Sequence, residues 1–328
     1  MIAAARANST LAHVCRVGLA LLAAACAAAG ARGQDLRPIQ ASKHVYYVLG
    51  TPGMATRENR AFNSNAAFVV TPDGVLVFDA LGTPALAEEL KKAIAGVTKQ
   101  PVRRVVISHF HADHFYGLQS FKSDGVEIWA HARGREALGA EFTQSRLEQR
   151  RRDLSPYVNE HTRLVGADRW LEFKEAVQFA FTFGGLKMRL IDVSGAHSPE
   201  DIMLFVEDDG VLLAGDLYFS GRLPYVGQAN TKAWLAAIDR IEPLSPKVVI
   251  PGHGSASRDP KPDIELTRAY LKFLREKMGA AVRDLVPFDE AYAAVDWAPF
   301  DEAPAFEAAN RINAYGTYLQ MEQELLAR

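Results

Sequence analysis

The stretch His109-Phe110-His111-Ala112-Asp113-His114 determines how the rest of the chain is interpreted. It follows residues 102–108, whose valines and isoleucine are typical of a buried strand. Three imidazoles and a carboxylate within six residues, with no thiolate, suit zinc, manganese or iron. In an extended loop His109 and His111 project to the same side, whereas Asp113 and His114 point differently, which suits a second ion beside the first. The stretch therefore predicts a metal site at the end of a strand.

Three more residues of ligand type follow apolar runs farther along the chain. They are His197, Asp216 and His253, and each comes just after the end of a predicted strand. Glycines flank each of them and let the backbone approach closely. Each residue alone is a weak signal, but together with the first stretch they indicate a single metal-binding cluster.

This order of motifs resembles the metallo-β-lactamase-fold superfamily over roughly residues 40 to 260. Residues 109–114 meet its signature, His-x-His-x-Asp-His, in full, and the downstream His, Asp and His occur in the expected order. The resemblance implies an α/β fold, an αβ/βα four-layer sandwich with the metals in a cleft at one sheet edge. Asp79, which closes an early strand, resembles the family's first motif, where the residue supports the site and is not a ligand.

The resemblance also implies a cofactor of two Zn²⁺ ions per chain, with iron or manganese as alternatives. The implied ligands of the first ion are His109, His111 and His197, and those of the second are Asp113, His114 and His253. Asp216 would bridge both ions. A metal-bridging hydroxide would attack the substrate carbonyl, with Asp113 as the catalytic residue that orients the hydroxide and relays its proton.

The residue at position 216 narrows the activity that the resemblance implies. Lactamase subclasses with a cysteine ligand carry the thiolate there, and the remaining dizinc subclass typically has serine. Asp216 therefore favours an exported hydrolase of an ester, thioester or lactone. The alternatives are a β-lactamase and an iron-dependent sulfur-oxidising dioxygenase. Gly215-Asp216-Leu217-Tyr218-Phe219 and the C-terminal helices most resemble the SoxH-type, or quinoprotein-relay, zinc metallohydrolases, whose substrates are poorly defined.

Four residues near the ligands are candidates for contacting a small-molecule substrate. They are Phe110, Tyr116, Arg222 and Tyr225. Core packing is an equal alternative for Phe110 and Tyr116, and a surface salt bridge is the alternative for Arg222. The basic run at 150–152, in a predicted exposed helix or lid over residues 132–152, is interpreted as a solvated helix face.

The first 33 residues predict a signal peptide. Arg6 and Arg16 precede an apolar run over residues 17–29, and small residues then lead to a mature start near Gln34. Both cysteines, Cys15 and Cys26, lie in this segment, and a lipid anchor at Cys26 is an alternative. The sequence thus predicts a periplasmic or secreted protein whose mature chain has no thiol.

Residues 34–260 predict the catalytic domain, and residues 261–328 predict a helical extension packed on it. A hairpin turns at Thr71-Pro72-Asp73-Gly74, a helix spans residues 84–97, and runs at 170–173, 177–181 and 186–192 predict antiparallel strands. The 328 residues carry a formal net charge of −2, which disfavours nucleic acid as a partner. No apolar run after the leader is long enough to predict a membrane span.

Overall fold

The computed structural model describes residues 36–173 and 177–327. The predicted signal peptide, with Cys15 and Cys26, and the predicted mature start at Gln34 lie outside these residues. Within the described ranges, no helix combines the length and the apolar character that crossing a bilayer requires. The predicted domain boundary at residue 260 stays a prediction.

Seven strands form the first sheet, in chain order from β1 to β7. They are β1 (Pro38–Gln40), β2 (Val45–Val48), β3 (Ala66–Thr71), β4 (Gly74–Phe78), β5 (Val102–Val106), β6 (Glu127–His131) and β7 (Arg169–Leu171). The strands from β1 to β4 pair antiparallel, and those from β4 to β7 pair parallel.

Five strands form the second sheet in the order β12-β11-β10-β9-β8. They are β8 (Gln178–Phe183), β9 (Leu186–Asp192), β10 (Ile202–Val206), β11 (Val211–Leu213) and β12 (Val248–Ile250). The strands from β8 to β11 pair antiparallel, and β12 pairs parallel with β11.

Helices cover the outer faces of the two sheets. They are α1 (Pro84–Val97), α2 (Ala112–Phe115), α3 (Leu118–Ser123), α4 (Gly134–Gly139), α5 (Glu141–Asp153), α6 (Thr231–Ile238), α7 (Lys261–Arg283), α8 (Phe288–Ala294) and α9 (Phe306–Leu326). Helix α1 packs against α3, and α7 packs against α6, α8 and α9. The last three helices form the predicted C-terminal helical segment.

Two apolar cores hold these layers together. Between the sheets, Val69 and Leu76 of the first sheet meet Leu204 and Leu213 of the second. On the outer face of the second sheet, a further core includes the fully buried Trp234 of α6. Strands β4 and β10 are buried at every residue, so each sheet has residues buried on both faces, as a four-layer sandwich requires. The predicted αβ/βα architecture is confirmed.

Local sequence signals account for the hairpin and the first long helix. The Thr71 hydroxyl donates to the Gly74 carbonyl at 2.8 Å and closes the turn between β3 and β4. Thr83 caps α1 by accepting a hydrogen bond from the Leu86 amide at 3.1 Å, and Pro84 occupies the first turn. The predicted hairpin and the predicted bounds of α1 are both confirmed.

The pairing predicted for residues 170–173 is wrong. The strand there, β7, joins the first sheet parallel to β6, with Trp170 opposite Ala130. Parallel neighbours need a long crossover between them, and α4 and α5 lie in this one. A short apolar run cannot show which strand it pairs with, so the local pattern did not reveal the crossover.

The C-terminal helix α9 holds a loop that leads away from Asp216. The Asn313 side chain accepts hydrogen bonds from the amide of Val226 at 2.7 Å and donates to the carbonyl of Pro224 at 2.9 Å. This loop carries Arg222 and Tyr225, two of the predicted substrate contacts. The helical segment therefore positions part of the candidate site.

Candidate metal centre

The structure brings all seven predicted ligands together at one edge of the sandwich. They lie in loops, in a short turn and in helix α2, all of which follow β5, β9, β11 or β12. Their possible ligand atoms form two groups, each spanning less than 4.8 Å. One group is His109, His111, His197 and Asp216, and the other is Asp113, His114 and His253. The ends of four strands thus converge on one metal-binding cluster.

Asp216 lies between the two groups. Its Oδ1 is 3.2 Å from His114 Nε2, and its Oδ2 is 3.3 Å from His253 Nε2. The same Oδ2 is 3.4 Å from His197 Nε2 and 3.8 Å from His109 Nε2. One buried carboxylate therefore faces imidazoles of both groups, and the bridging role that the resemblance implies for it stays a prediction.

Several polar atoms of the cluster are buried without a hydrogen-bond partner among the described residues. They include His109 Nε2, His114 Nε2 and Asp216 Oδ1. Unpaired buried polar atoms are costly, so a group of them needs a physical explanation. Divalent cations accept lone pairs from atoms of these kinds, and imidazole with carboxylate is a donor set that suits them. The residues present therefore fit a bound metal.

Hydrogen bonds behind the cluster set the orientation of three imidazoles. His109 Nδ1 is 2.9 Å from Ser108 Oγ, His114 Nδ1 is 2.9 Å from Asp79 Oδ2, and His253 Nδ1 donates to the Asn63 carbonyl at 2.7 Å. In each ring, this contact leaves Nε2 to face the cluster. Asp79 thus lies beside a ligand and outside the cluster.

The electrostatic environment favours the metal-binding protonation state of His109, His111 and Asp216. Burial lowers the pKa of His109 well below its usual value, and it lowers the pKa of His111 to about 3. Burial raises the pKa of Asp216, but His253 and His114 outweigh it, and the result lies well below the usual value. At neutral pH the first two rings are neutral and the carboxylate is charged, as metal coordination requires. At His114, burial lowers the pKa, but Asp216 and Asp79 outweigh it, and the result lies well above the usual value.

A glycine next to a ligand gives this cluster its space. A Cβ atom built on Gly252 would overlap Asp216 Oδ1 and would lie 2.9 Å from the carbonyl carbon of Gly215. The sequence predicted that glycines beside the ligands permit close approach, and at this position the geometry requires one.

The substitution Gly252→Ala should weaken metal binding. The added methyl group would displace the Asp216 carboxylate, and disturbing the surroundings of metal ligands costs roughly 10- to 100-fold in affinity. Gly96→Ala is the matched control, because a Cβ there meets nothing within 4 Å. Titration with a zinc chelator would measure both variants. Equal zinc affinity in the two would show that Gly252 does not set the position of Asp216.

A cavity of about 210 Å³ opens beside the cluster. All four predicted substrate contacts line it, namely Phe110, Tyr116, Arg222 and Tyr225. Phe110 and Tyr116 are also packed in the core, with 5% and 1% of their surfaces exposed. Core packing is therefore confirmed for both residues, and their contact with a substrate stays a prediction.

The salt-bridge alternative for Arg222 is wrong. Arg222 is 5% exposed, and within the described part of the chain no carboxylate lies within 4 Å of it. Its Nη1 instead donates to the Gly53 carbonyl at 2.8 Å. Burial lowers the pKa of Arg222, although Asp216 and Asp113 act in the opposite direction.

The sequence interpretation missed residues that line the cavity. The run at 150–152 was interpreted as a solvated face, but Arg150 lines the cavity together with Arg146. The two arginines are four residues apart, so they share one face of a helix, and this spacing was the available signal. Asn63 was also missed, and its Nδ2 donates to Asp113 Oδ2 at 2.8 Å.

Residues 59–253 match the family model described as the metallo-beta-lactamase superfamily, and this range covers more than half of the chain. The chain belongs to the metallo-beta-lactamase superfamily. The membership predicted from the motifs is confirmed, and the matched range contains the two groups of His and Asp residues that could hold divalent metal ions. The closer grouping with SoxH-type proteins stays a prediction.

Curated members of the superfamily are similar at low identity. A linear primary-alkylsulfatase of a Pseudomonas species is 23% identical over 250 residues, which are 64% of this chain and 45% of that protein. The metallo-beta-lactamase IND-1 of Chryseobacterium indologenes is 23% identical over 221 residues, with 66% and 80% covered. The chain thus spans about half the length of the alkylsulfatase.

Solved structures of the superfamily share the fold. The stereoselective inverting sec-alkylsulfatase Pisa1 from Pseudomonas sp. aligns with a TM-score of 0.68 at 19% identity, covering 87% of this chain and 50% of that one. A metallo-beta-lactamase from Pontibacter korlensis aligns with a TM-score of 0.55 at 21% identity, covering 72% and 99%. At these identities the likeness establishes the architecture alone.

Proposed function

We propose that this chain is an exported metal-dependent hydrolase that uses two zinc ions to cleave an ester, thioester or lactone. The observation that carries the proposal is the Asp216 carboxylate between the two groups of imidazoles. Hydrolase names among the relatives, including alkylsulfatase and metallo-beta-lactamase, support the reaction class. The leader sequence supports export, and mass spectrometry of a mature N-terminus at Gln34 would test it.

Two bound zinc ions would supply a water of lowered pKa and a positive charge that polarises a carbonyl. The Asp113 carboxylate borders the cavity and is placed to accept a proton there. Burial raises its pKa, but His114 and His253 outweigh burial and bring the pKa to about 2. Asp113 therefore carries a charge at neutral pH. Asn63 holds its Oδ2 through the 2.8 Å hydrogen bond.

The walls of the cavity can bind a substrate and exclude water. Phe115 and Phe219 line it with Phe110, so an apolar part of a substrate finds apolar partners. Arg222 is buried with its charge facing no carboxylate partner at ion-pair distance within the described residues. We propose that it contacts an anionic or carbonyl oxygen of the substrate.

A β-lactamase is the second candidate, because the curated relatives include metallo-beta-lactamases. Asp216 is the observation against this candidate, because the resemblance described from the sequence implies cysteine or serine at that position in the dizinc lactamases. A sulfur-oxidising activity would need iron in the cluster, and metal analysis separates that candidate from the other two.

A substrate panel on zinc-loaded protein tests the proposal. The panel comprises 4-nitrophenyl butyrate, a butyryl thioester, γ-caprolactone, nitrocefin and decyl sulfate, with chelator-treated protein as the control. We expect saturable turnover of at least one of the first three compounds, and we expect it to disappear with the metal. Fast, saturable turnover of nitrocefin or decyl sulfate alone would replace the proposed substrate class.

A further inference from the structure

The helix α5 contributes a basic wall to the cavity. Arg146 and Arg150 both line it, and they lie one helical turn apart. Leu147, between them, is the buried residue of this otherwise polar helix, with 4% of its surface exposed. The face of α5 that carries these side chains therefore turns toward the protein.

The arginines of α5 differ in their partners. Arg151 forms an ion pair with Glu148, and Arg152 donates to a glutamine of the same helix at 2.8 Å. Among the residues that the structure describes, neither Arg146 nor Arg150 has a carboxylate within 4 Å or a side-chain hydrogen bond. The two arginines of α5 that line the cavity are thus the two arginines of this helix whose side-chain donors remain available to a ligand.

A tyrosine hydroxyl near these arginines also lacks a partner. Tyr116 is 1% exposed, and within the described ranges its hydroxyl makes no hydrogen bond. The hydroxyl belongs to a residue that lines the cavity, and a buried hydroxyl without a partner calls for a hydrogen-bond partner from a ligand.

Contacts at the far end of α5 fix its position. Arg57, in the loop before β3, donates from Nε to the Asp153 carbonyl and from Nη2 to the Arg152 carbonyl, both at 2.7 Å. Arg151 donates to the carbonyls of Asn159 and Thr162 at 2.9 and 2.8 Å. A helix fastened on two sides presents its other arginines in a fixed place, which reduces the entropy lost when a ligand binds.

The charges that line the cavity also favour an anionic ligand. Among the described residues, its charged side chains are three arginines and two aspartates, and both aspartates belong to the metal cluster. Any bound metal adds further positive charge. Low-dielectric walls focus such a field on the interior, so the cavity attracts anions although the whole chain carries a net charge of −2.

We propose that Arg146, Arg150 and the Tyr116 hydroxyl form an oxyanion subsite that binds a carboxylate or sulfate group of the substrate. Phe142 and Ile312 line the same cavity, and each is 50% exposed. The ligand class is accordingly an amphiphile with one anionic head and an apolar chain. The inference rests on the proposed function only in taking this cavity as the place where substrate binds.

Binding measured without turnover tests the subsite. Titration calorimetry on zinc-loaded protein would compare octanesulfonate and octanoate with uncharged octanamide. The variants are R146Q, R150Q and the double variant, with R152Q as the matched control on the same helix. We expect each cavity-facing substitution to weaken binding of the anions about tenfold, as the loss of one charge-assisted hydrogen bond predicts.

The outcomes separate the subsite from the proposed function. Octanamide binding should be the same in all variants, R152Q should bind the anions like the unmodified chain, and R146K/R150K should restore part of the affinity. Unchanged anion binding in the double variant, or an equal loss in R152Q, would overturn the subsite. The comparison of octanesulfonate, whose sulfonate stands in for a sulfate, with octanoate shows which of the two anionic groups the subsite prefers. A chain that hydrolyses no carbonyl substrate but passes these tests keeps the subsite and loses the proposed function.

Discussion

Replacing Asp216 with Asn should remove both metal binding and hydrolysis. The substitution preserves size and removes the charge that faces His114, His197 and His253 at 3.2 to 3.4 Å. Without this carboxylate, two cations would lie close together with one less anion between them, and neither group would hold its ion well. We expect hydrolysis to fall about 10³-fold or more, since metal charge stabilisation amounts to several kcal/mol.

Elemental analysis and rate measurements on the same Asp216→Asn preparation check this expectation. Asp124→Asn is the control, because its carboxylate pairs with Lys91 on the surface and lies outside the cluster. The control should retain full metal content and activity. If Asp216→Asn retained two ions per chain, the Asp216 carboxylate would not be needed to bind metal, although it lies between the two groups of ligands.

The second large effect is expected for Asp113→Asn. Asp113 Oδ2 lies 3.4 Å from His253 Nε2 and 3.8 Å from His114 Nε2, and the carboxylate borders the cavity. The change removes a charge from the second group and also removes the group proposed to accept a proton. Loss of a positioned acid or base typically costs about 10²- to 10⁴-fold in rate, so kcat should fall by that amount.

Metal content distinguishes the two parts of this effect. The group of His109, His111, His197 and Asp216 remains intact in Asp113→Asn, so we expect about one ion to stay bound. Activity measured at saturating zinc then reports the loss of Asp113 as a proton acceptor. Full activity under those conditions would rule out a catalytic role for Asp113.

Much of the fold was predictable because its signals are local. Thr83 and Pro84 mark the start of α1, and the turn after Thr71 marks the hairpin. The ligand set was predictable for a related reason. Each ligand follows an apolar strand, and the ends of β5 in the first sheet and of β9, β11 and β12 in the second meet at one edge of the sandwich, so residues distant in sequence become neighbours.

The features that sequence reasoning missed depend on long-range packing. Nothing within residues 170–173 specifies a parallel partner, because the crossover through α4 and α5 determines it. In α5 the polar sequence conceals an inward face, since Leu147 is its one buried residue. Arg150 therefore looked solvated, and only the placement of the helix against the cavity gives it a candidate role.

Metal stoichiometry measured together with activity tests the central claim most directly. Inductively coupled plasma mass spectrometry on purified protein, titrated with zinc while ester and thioester hydrolysis is followed, would give both quantities on one sample. We predict two zinc ions per chain at full activity, with activity lost as the ions are removed. One iron and no zinc per chain in the active protein would contradict the account of this site as a dinuclear zinc hydrolase.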